Sequence, residues 1–146
     1  MTKSHALAPD LPDRLRARFK DFPLTRGWGL SIDALGWGEA TLSLNPSPAT
    51  TNGAAGVMNG GVLATLADMA CALALCTHFD GRMPFATSDL HIRYLEPVQE
   101  WVEFRASVVR SSARSAVLEC RAHCGNKVMA QATASFTIRN RPGEAP

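Results

Sequence analysis

Between Gly60 and Thr77 the chain reads GGVLATLADMACALALCT, and Asp68 is the only charged side chain in that run. A carboxylate left unpaired in apolar surroundings costs several kcal/mol or takes up a proton instead. A fold keeps such a group because it is paired or because its strain is used, so Asp68 is the first place to look for chemistry. Immediately before the run stand Asn59, Gly60 and Gly61. Asparagine is a strong helix N-cap. Glycines in a first turn leave backbone N–H groups and the positive end of the helix dipole open to a polarised oxygen. Asp68 lies more than two turns beyond that tip, about 12 Å along the axis at roughly 1.5 Å per residue. It is too far along to serve an atom held at the start of its own helix.

The elements that must position these groups follow from periodicity. Leu11, Leu15 and Phe19 recur at helical spacing, which predicts a short amphipathic helix over about 12–20 with Pro12 near its start. Residues 27–35 and 39–44 read as strands joined at Gly36-Trp37-Gly38, and NPSPATTNGAAG, residues 45–56, reads as a loop. The helix that follows Asn59 is apolar nearly all round and must be enclosed. Beyond it, Leu90, Ile92 and Tyr94 alternate with Asp89, His91 and Arg93. Similar stripes run through Val102–Val108, Ala116–Ala122 and Val128–Ile138, with hairpin turns at 111–113 and 125–126. The expected fold is α+β: a six-stranded antiparallel sheet curled around one long helix. One sheet cannot cover that helix fully, so a second protomer is expected to close the core. A single domain over 10–140 is expected, with tails at 1–9 and 141–146.

Composition narrows the function classes. An apolar fraction of 46%, a charged fraction of 19% and a net charge of +2 describe one globular domain with no basic block for nucleic acid. The start, MTKSHALAPDLPDRL, lacks the apolar core of a signal peptide. The 60–77 run is near the minimum for a membrane span, but a mid-segment Asp costs about 3 kcal/mol there, which favours a buried core helix. A cytoplasmic protein with no membrane contact is expected. Cys71, Cys76, Cys120 and Cys124 form no CxxC pair and read as reduced core thiols, with no metal site.

The block MNGGVLATLADMACALAL, followed by FATSDLHIRYLEPV, resembles the hotdog-fold acyl-CoA thioesterases of the phenylacetate-pathway (PaaI-like) subgroup. The shared pattern is His or Asn before Gly-Gly, an Asp nine residues after that first position, and a strand ending in Y-L-x-P; the resemblance spans about residues 25–138. It implies a hotdog fold, a homodimer at minimum with a homotetramer (dimer of dimers) expected, an acyl-CoA substrate, and no cofactor beyond the coenzyme A carried by that substrate. In this family the carboxylate comes from the facing protomer. Asp68 is thereby expected as general base for a water, or as nucleophile giving a mixed anhydride. The helix tip, mainly the Gly61 N–H with Gly60 beside it, is expected to polarise the thioester carbonyl.

The resemblance carries further residues. Asn59 replaces the family's usual His; it caps the helix and offers an N–H to the carbonyl, but carries no proton at neutral pH. Thr87 matches a Ser or Thr that orients the water or contacts the carboxylate, with Ser88 as the alternative on the opposite strand face. Asn52 resembles a substrate-contacting Asn, although its spacing to Asn59 is one residue longer. Tyr94, Leu95, Glu96, Pro97 and Val98, with Arg110 and Arg114 on a later hairpin, match the positions that bind the pantetheine and nucleotide of CoA. None of His5, His78, His91 and His123 matches a catalytic position. Two other readings remain: a hotdog hydratase or dehydratase, which usually carries a catalytic His, and a non-catalytic acyl-CoA-binding module.

Overall fold

In the computed structural model, which describes residues 5–139, the chain forms α1 (Leu11–Lys20), β1 (Ser31–Gly36), β2 (Glu39–Leu44), α2 (Gly60–Cys76), β3 (Phe85–Tyr94), β4 (Val102–Ser111), β5 (Ser115–Cys124) and β6 (Lys127–Ile138). The strands make one six-stranded sheet in the order β1-β2-β4-β5-β6-β3. Every neighbouring pair is antiparallel. The sheet wraps on α2, the architecture expected from counting elements. β1 is shorter than expected: residues 27–30 stay outside the sheet, held by turn bonds such as Trp28 N–H to Thr25 O.

Alternation explains the wrapping. Leu42 and Leu44 on β2, Val102 and Phe104 on β4, Leu118 and Cys120 on β5, and Ala132, Ala134 and Phe136 on β6 all point to one buried face. Their neighbours in sequence lie on the opposite face, where all but the buried Ser43 are at least partly exposed. Against that face lies α2, whose Leu63, Leu66, Ala67, Ala70, Leu73 and Ala74 are buried. The helix from Gly60 to Phe79 is long and apolar enough to cross a membrane, yet it is mostly buried as the core of this sheet. One stripe of α2 stays open. Gly61 is exposed, and Thr65, Asp68 and Ala72, at helical spacing along the same side, are only half-buried.

The two ends of α2 are fixed differently. At its C-terminal end Thr77 Oγ1 accepts the N–H of Gly38, 2.8 Å away, and donates to Ala74 O. This pins the Trp37-Gly38 turn of the β1–β2 hairpin; Gly38 has φ +72°, which suits glycine. Trp37 stacks on His78 at 4.5 Å and on His5 at 4.6 Å. The segment before α1 is therefore not a loose tail throughout: His5 sits on Trp37, and Leu7 and Ala8 pack on the core. Residues 1–4 and the expected tail at 141–146 lie outside the described residues.

Candidate active site

At the start of α2 the backbone turns helical because Asn59, extended at φ −62° and ψ 135°, supplies the cap. Its Oδ1 accepts from Gly61 N–H at 2.8 Å and from Val62 N–H at 3.3 Å. Its Nδ2 donates to Asn52 Oδ1 at 2.7 Å. The preceding loop is pinned as well: Asn59 N–H to Thr50 O, Asn52 N–H to Val57 O and Met58 N–H to Val98 O are each 2.8 Å. Through that last bond the segment after β3 is tied to the helix tip.

The cap changes which amide is available. Gly61 N–H, expected to face the substrate, is taken by Asn59 Oδ1. Gly60 N–H has no acceptor among the described residues, so the first glycine carries the open donor. Gly60 also has a packing reason to be glycine. Tyr94 donates its hydroxyl to Gly60 O at 2.6 Å, and a Cβ on Gly60 would stand 3.3 Å from the ring. Tyr94, Leu95, Glu96, Pro97 and Val98 line one groove of about 310 Å³ with Gly60, Met58 and Leu63. Lys127, which sequence reading passed over, pairs with Glu96 at 3.2 Å and sets a cation on the rim. Only the fold, which returns β6 beside the end of β3, could reveal it.

Asp68 is half-buried on the open stripe of α2. Burial pushes its carboxyl up from the ordinary value, and the hydroxyl of Thr87, donating to Oδ1 at 2.8 Å, pulls it partly back. Strict alternation would turn Thr87 away from α2, since Leu90, Ile92 and Tyr94 share the inward face. A bulge reverses the phase: Thr87 pairs with Phe136 and Asp89 with Ser135, leaving Ser88 unpaired between them. Thr87 thereby joins the inward face, and Ser88 bonds instead to Ser135 O at 3.1 Å.

The remaining expected residues divide by location. Arg110 and Arg114 flank the β4–β5 turn, and Arg114 O accepts from Ile138 N–H at 2.8 Å. Ile138 pairs with Phe85 at the start of β3, whereas the groove lies at its other end. Within one chain these arginines do not reach Tyr94–Val98. The thiols offer no nucleophile. Cys71 is buried beside Cys120, which drives its proton affinity well up, and burial pushes Cys76 up to about 11. A larger cavity of about 670 Å³ lies between α1 and β1, lined by Arg16, Phe19, Lys20 and Ile32, away from Asp68.

Residues 55–131, just over half of the chain, match the thioesterase superfamily. The chain belongs to that superfamily. No curated protein sequence matches it. Among solved structures it is similar to a conserved protein of Pseudomonas aeruginosa, at 29% identity over 80% of this chain and 94% of that one, with a TM-score of 0.74. It is also similar to an N33D mutant of the phenylacetic acid degradation protein PaaI from Thermus thermophilus, at 28% identity over 82% of this chain and 100% of that one, TM-score 0.72. A thioesterase from Haemophilus influenzae shares the fold at 20% identity, over 88% of this chain and 90% of that one, TM-score 0.78. The fold is the hotdog fold, and the protein is a PaaI-like thioester hydrolase. Hotdog thioesterases generally take CoA thioesters and oligomerise.

Proposed function

We propose that this protein hydrolyses an acyl-CoA or aryl-CoA thioester to the free acid and coenzyme A, with each site shared between two copies of the chain. The observation that carries the reading is the split within one chain. The open amide of Gly60 and the groove lie at the tip of α2, while the carboxylate of Asp68, held by Thr87, lies about 12 Å along the same helix. A thioester carbonyl held at one tip meets the Asp68 of a facing protomer.

In that arrangement the pantetheine arm lies along Tyr94–Val98 and the carbonyl oxygen accepts the Gly60 N–H. The second N–H of the Asn59 amide remains available to the same oxygen, and Asn52 holds that amide in place. Asp68 takes a proton from a water whose oxygen attacks the carbonyl carbon. The charge gathers on the carbonyl oxygen at the positive end of α2, and the C–S bond breaks to release the CoA thiolate. Direct attack by Asp68 through a mixed anhydride uses the same groups. A thiolate leaves with little acid assistance, so Asn59 in place of the usual His is compatible with turnover.

A panel of aryl- and short- to medium-chain acyl-CoAs, assayed by thiol release, tests the reading. Turnover on at least one member is expected. Binding of a non-hydrolysable CoA analogue by calorimetry with no turnover on any member would overturn it in favour of a binding module. Hydration of an enoyl-CoA without thiol release would point to a hydratase. The imidazoles stand away from Asp68 for that chemistry: His78 lies beyond the C-terminal end of α2, and His91 is on the outward face of β3.

A further inference from the structure

The cleft between α1 and β1 takes no part in the proposed reaction. Its volume of about 670 Å³ is ample for a small organic ligand. It lies at the β1 edge of the sheet, with β2, β4, β5 and β6 between it and β3, the strand that carries Thr87 and Tyr94. α1 is tied just past the C-terminal end of α2, where Arg18 donates to Gly81 O at 2.9 Å. The Gly60 tip is at the other end of that helix.

Its walls hold donors that the fold does not use. Gly27 and Gly29 line it at φ +82° and +71°, where side chains are strained, and neither N–H has an acceptor among the described residues. Arg16 is spent on structure: it donates to Ile32 O at 3.0 Å and lies 3.5 Å from Asp13. Lys20 has no ion pair, and no Asp or Glu lines the cleft, among the described residues. Thr25 is 4% exposed, and its backbone N–H and carbonyl are bonded to Phe22 and Trp28, but its hydroxyl has no partner among those residues. Every enclosed side-chain polar atom there is partnered, so Thr25 Oγ1 is not enclosed and opens into the cleft that Thr25 lines. A hydroxyl left unbonded on a buried side chain has room for a ligand atom. Beside these donors Phe19, Leu30 and Ile32 form an apolar floor continuous with the core.

We infer that this cleft binds a small amphipathic monocarboxylate, an aryl or short- to medium-chain free acid. Its carboxylate meets Lys20, the Thr25 hydroxyl and the amides of Gly27 and Gly29, and its hydrocarbon lies on Phe19, Leu30 and Ile32. One uncommitted cation among neutral donors balances a single negative charge, and the apolar floor calls for hydrocarbon next to it. A phosphate monoester would bring a second charge with no cation to meet it. Acids of this class are what the proposed hydrolysis releases, yet the inference does not need that reaction. The donors and the floor all come from one copy of the chain.

Octanoate tests the site, with octanamide and acetate as controls. Amide spectra of the isotope-labelled protein should show saturable shifts at Thr25, Gly27 and Gly29, with a Kd of about 1 mM or tighter. Octanamide keeps the chain and loses the charge, and acetate keeps the charge and loses the chain; each should bind about fivefold weaker or more. Lys20→Met should erase most of the preference for octanoate over octanamide. Thr25→Val keeps the side-chain shape and should weaken octanoate about threefold or more. Circular dichroism checks that both variants are folded, and Lys20, being exposed, carries the test should Thr25→Val fail to fold. Four results overturn the inference: shifts confined to Gly60–Leu63 and Tyr94–Val98, no saturable shift at Gly27 and Gly29, either control binding as well as octanoate, or an unchanged preference in Lys20→Met. Thiol release from acyl-CoA enters none of these readings, so failure here and failure of the proposed hydrolysis are distinguishable.

Discussion

Replacing Asp68 by Asn separates the stability role of this residue from its chemical one. The amide keeps the size of the carboxyl and still offers Oδ1 to the Thr87 hydroxyl, 2.8 Å away in the native chain. What it removes is a charge whose folded-state proton affinity burial has raised. A carboxyl with a raised folded pKa favours the folded state below its unfolded value and loses that contribution as pH rises through the folded value. At neutral pH the ionised group is therefore a net cost. Asp68→Asn should be at least as stable as the parent at pH 7, and its advantage should shrink as the pH falls through that window toward the ordinary carboxyl value of 3.8. Turnover should move the other way. Loss of a positioned base costs about 10²- to 10⁴-fold, equivalent to roughly 3–5 kcal/mol at about 1.4 kcal/mol per factor of ten. Thiol release under saturating and limiting acyl-CoA gives kcat and KM separately. The fall should lie in kcat, because the amide occupies the same volume and the Gly60 tip is untouched. Thermal melts at pH 7 and pH 4.5 give the stability half. A folded Asp68→Asn protein that retains turnover within about threefold of the parent would refute the assignment of Asp68 to the reacting atoms.

Thr87→Val removes the hydrogen bond that lowers the proton affinity of Asp68. The acid limb of kcat/KM against pH should then move to higher pH, and Thr87→Ser should restore it. The two glycines should separate by readout: a Cβ on Gly60 meets the Tyr94 ring at 3.3 Å beside the open amide, while one on Gly61 meets the capping Asn59 Oδ1 at 3.0 Å. Gly60→Ala should cost mainly turnover, whereas Gly61→Ala should cost about 1 kcal/mol of stability in urea titration through the weakened cap. Leu66→Ala, at a fully buried position of α2, should cost about 2–5 kcal/mol by the same titration.

Much of this was legible because the sequence repeats its pattern. The alternating stripes of β4, β5 and β6 and the apolar run after Asn59 define elements whose bounds the structure moves by three residues at most. The N-cap followed from residue type, and both Oδ1 bonds of Asn59 are present. What escaped was what depends on partners remote in sequence. Alternation missed Thr87, which only the resemblance placed at the carboxylate: it faces Asp68 because Ser88 drops out of register with β6, and nothing in FATSDLHIRY marks that slip. Gly61 looked like the open donor because its N–H is unpaired within any helix, but the cap that takes it is a rotamer of Asn59. Residues 5–9 read as tail by composition, while the stack of His5 on Trp37 depends on a turn more than thirty positions away. Arg110 and Arg114 sit beside the groove in family analogy, but strand order sends them to the far end of their own chain.

The displaced Ser88 has a consequence for how β3 tolerates change. From Asp89 to Tyr94, even-numbered positions face the helix and odd-numbered ones face out; from Phe85 to Thr87 the parity is inverted. A deep mutational scan of this strand should show that inversion directly, with the pattern of intolerance to polar or bulky residues skipping a beat at position 88. Deleting Ser88 would restore one continuous rhythm and leave Thr87 on the helix side. Position 88 is therefore the one place in the strand where losing a residue keeps every other side chain on its own face. A relative built without the bulge would carry the residue that meets the carboxylate two positions before its counterpart of Leu90, not three as here. An alignment drawn through this strand without a gap would then match Thr87 to a residue that points to solvent.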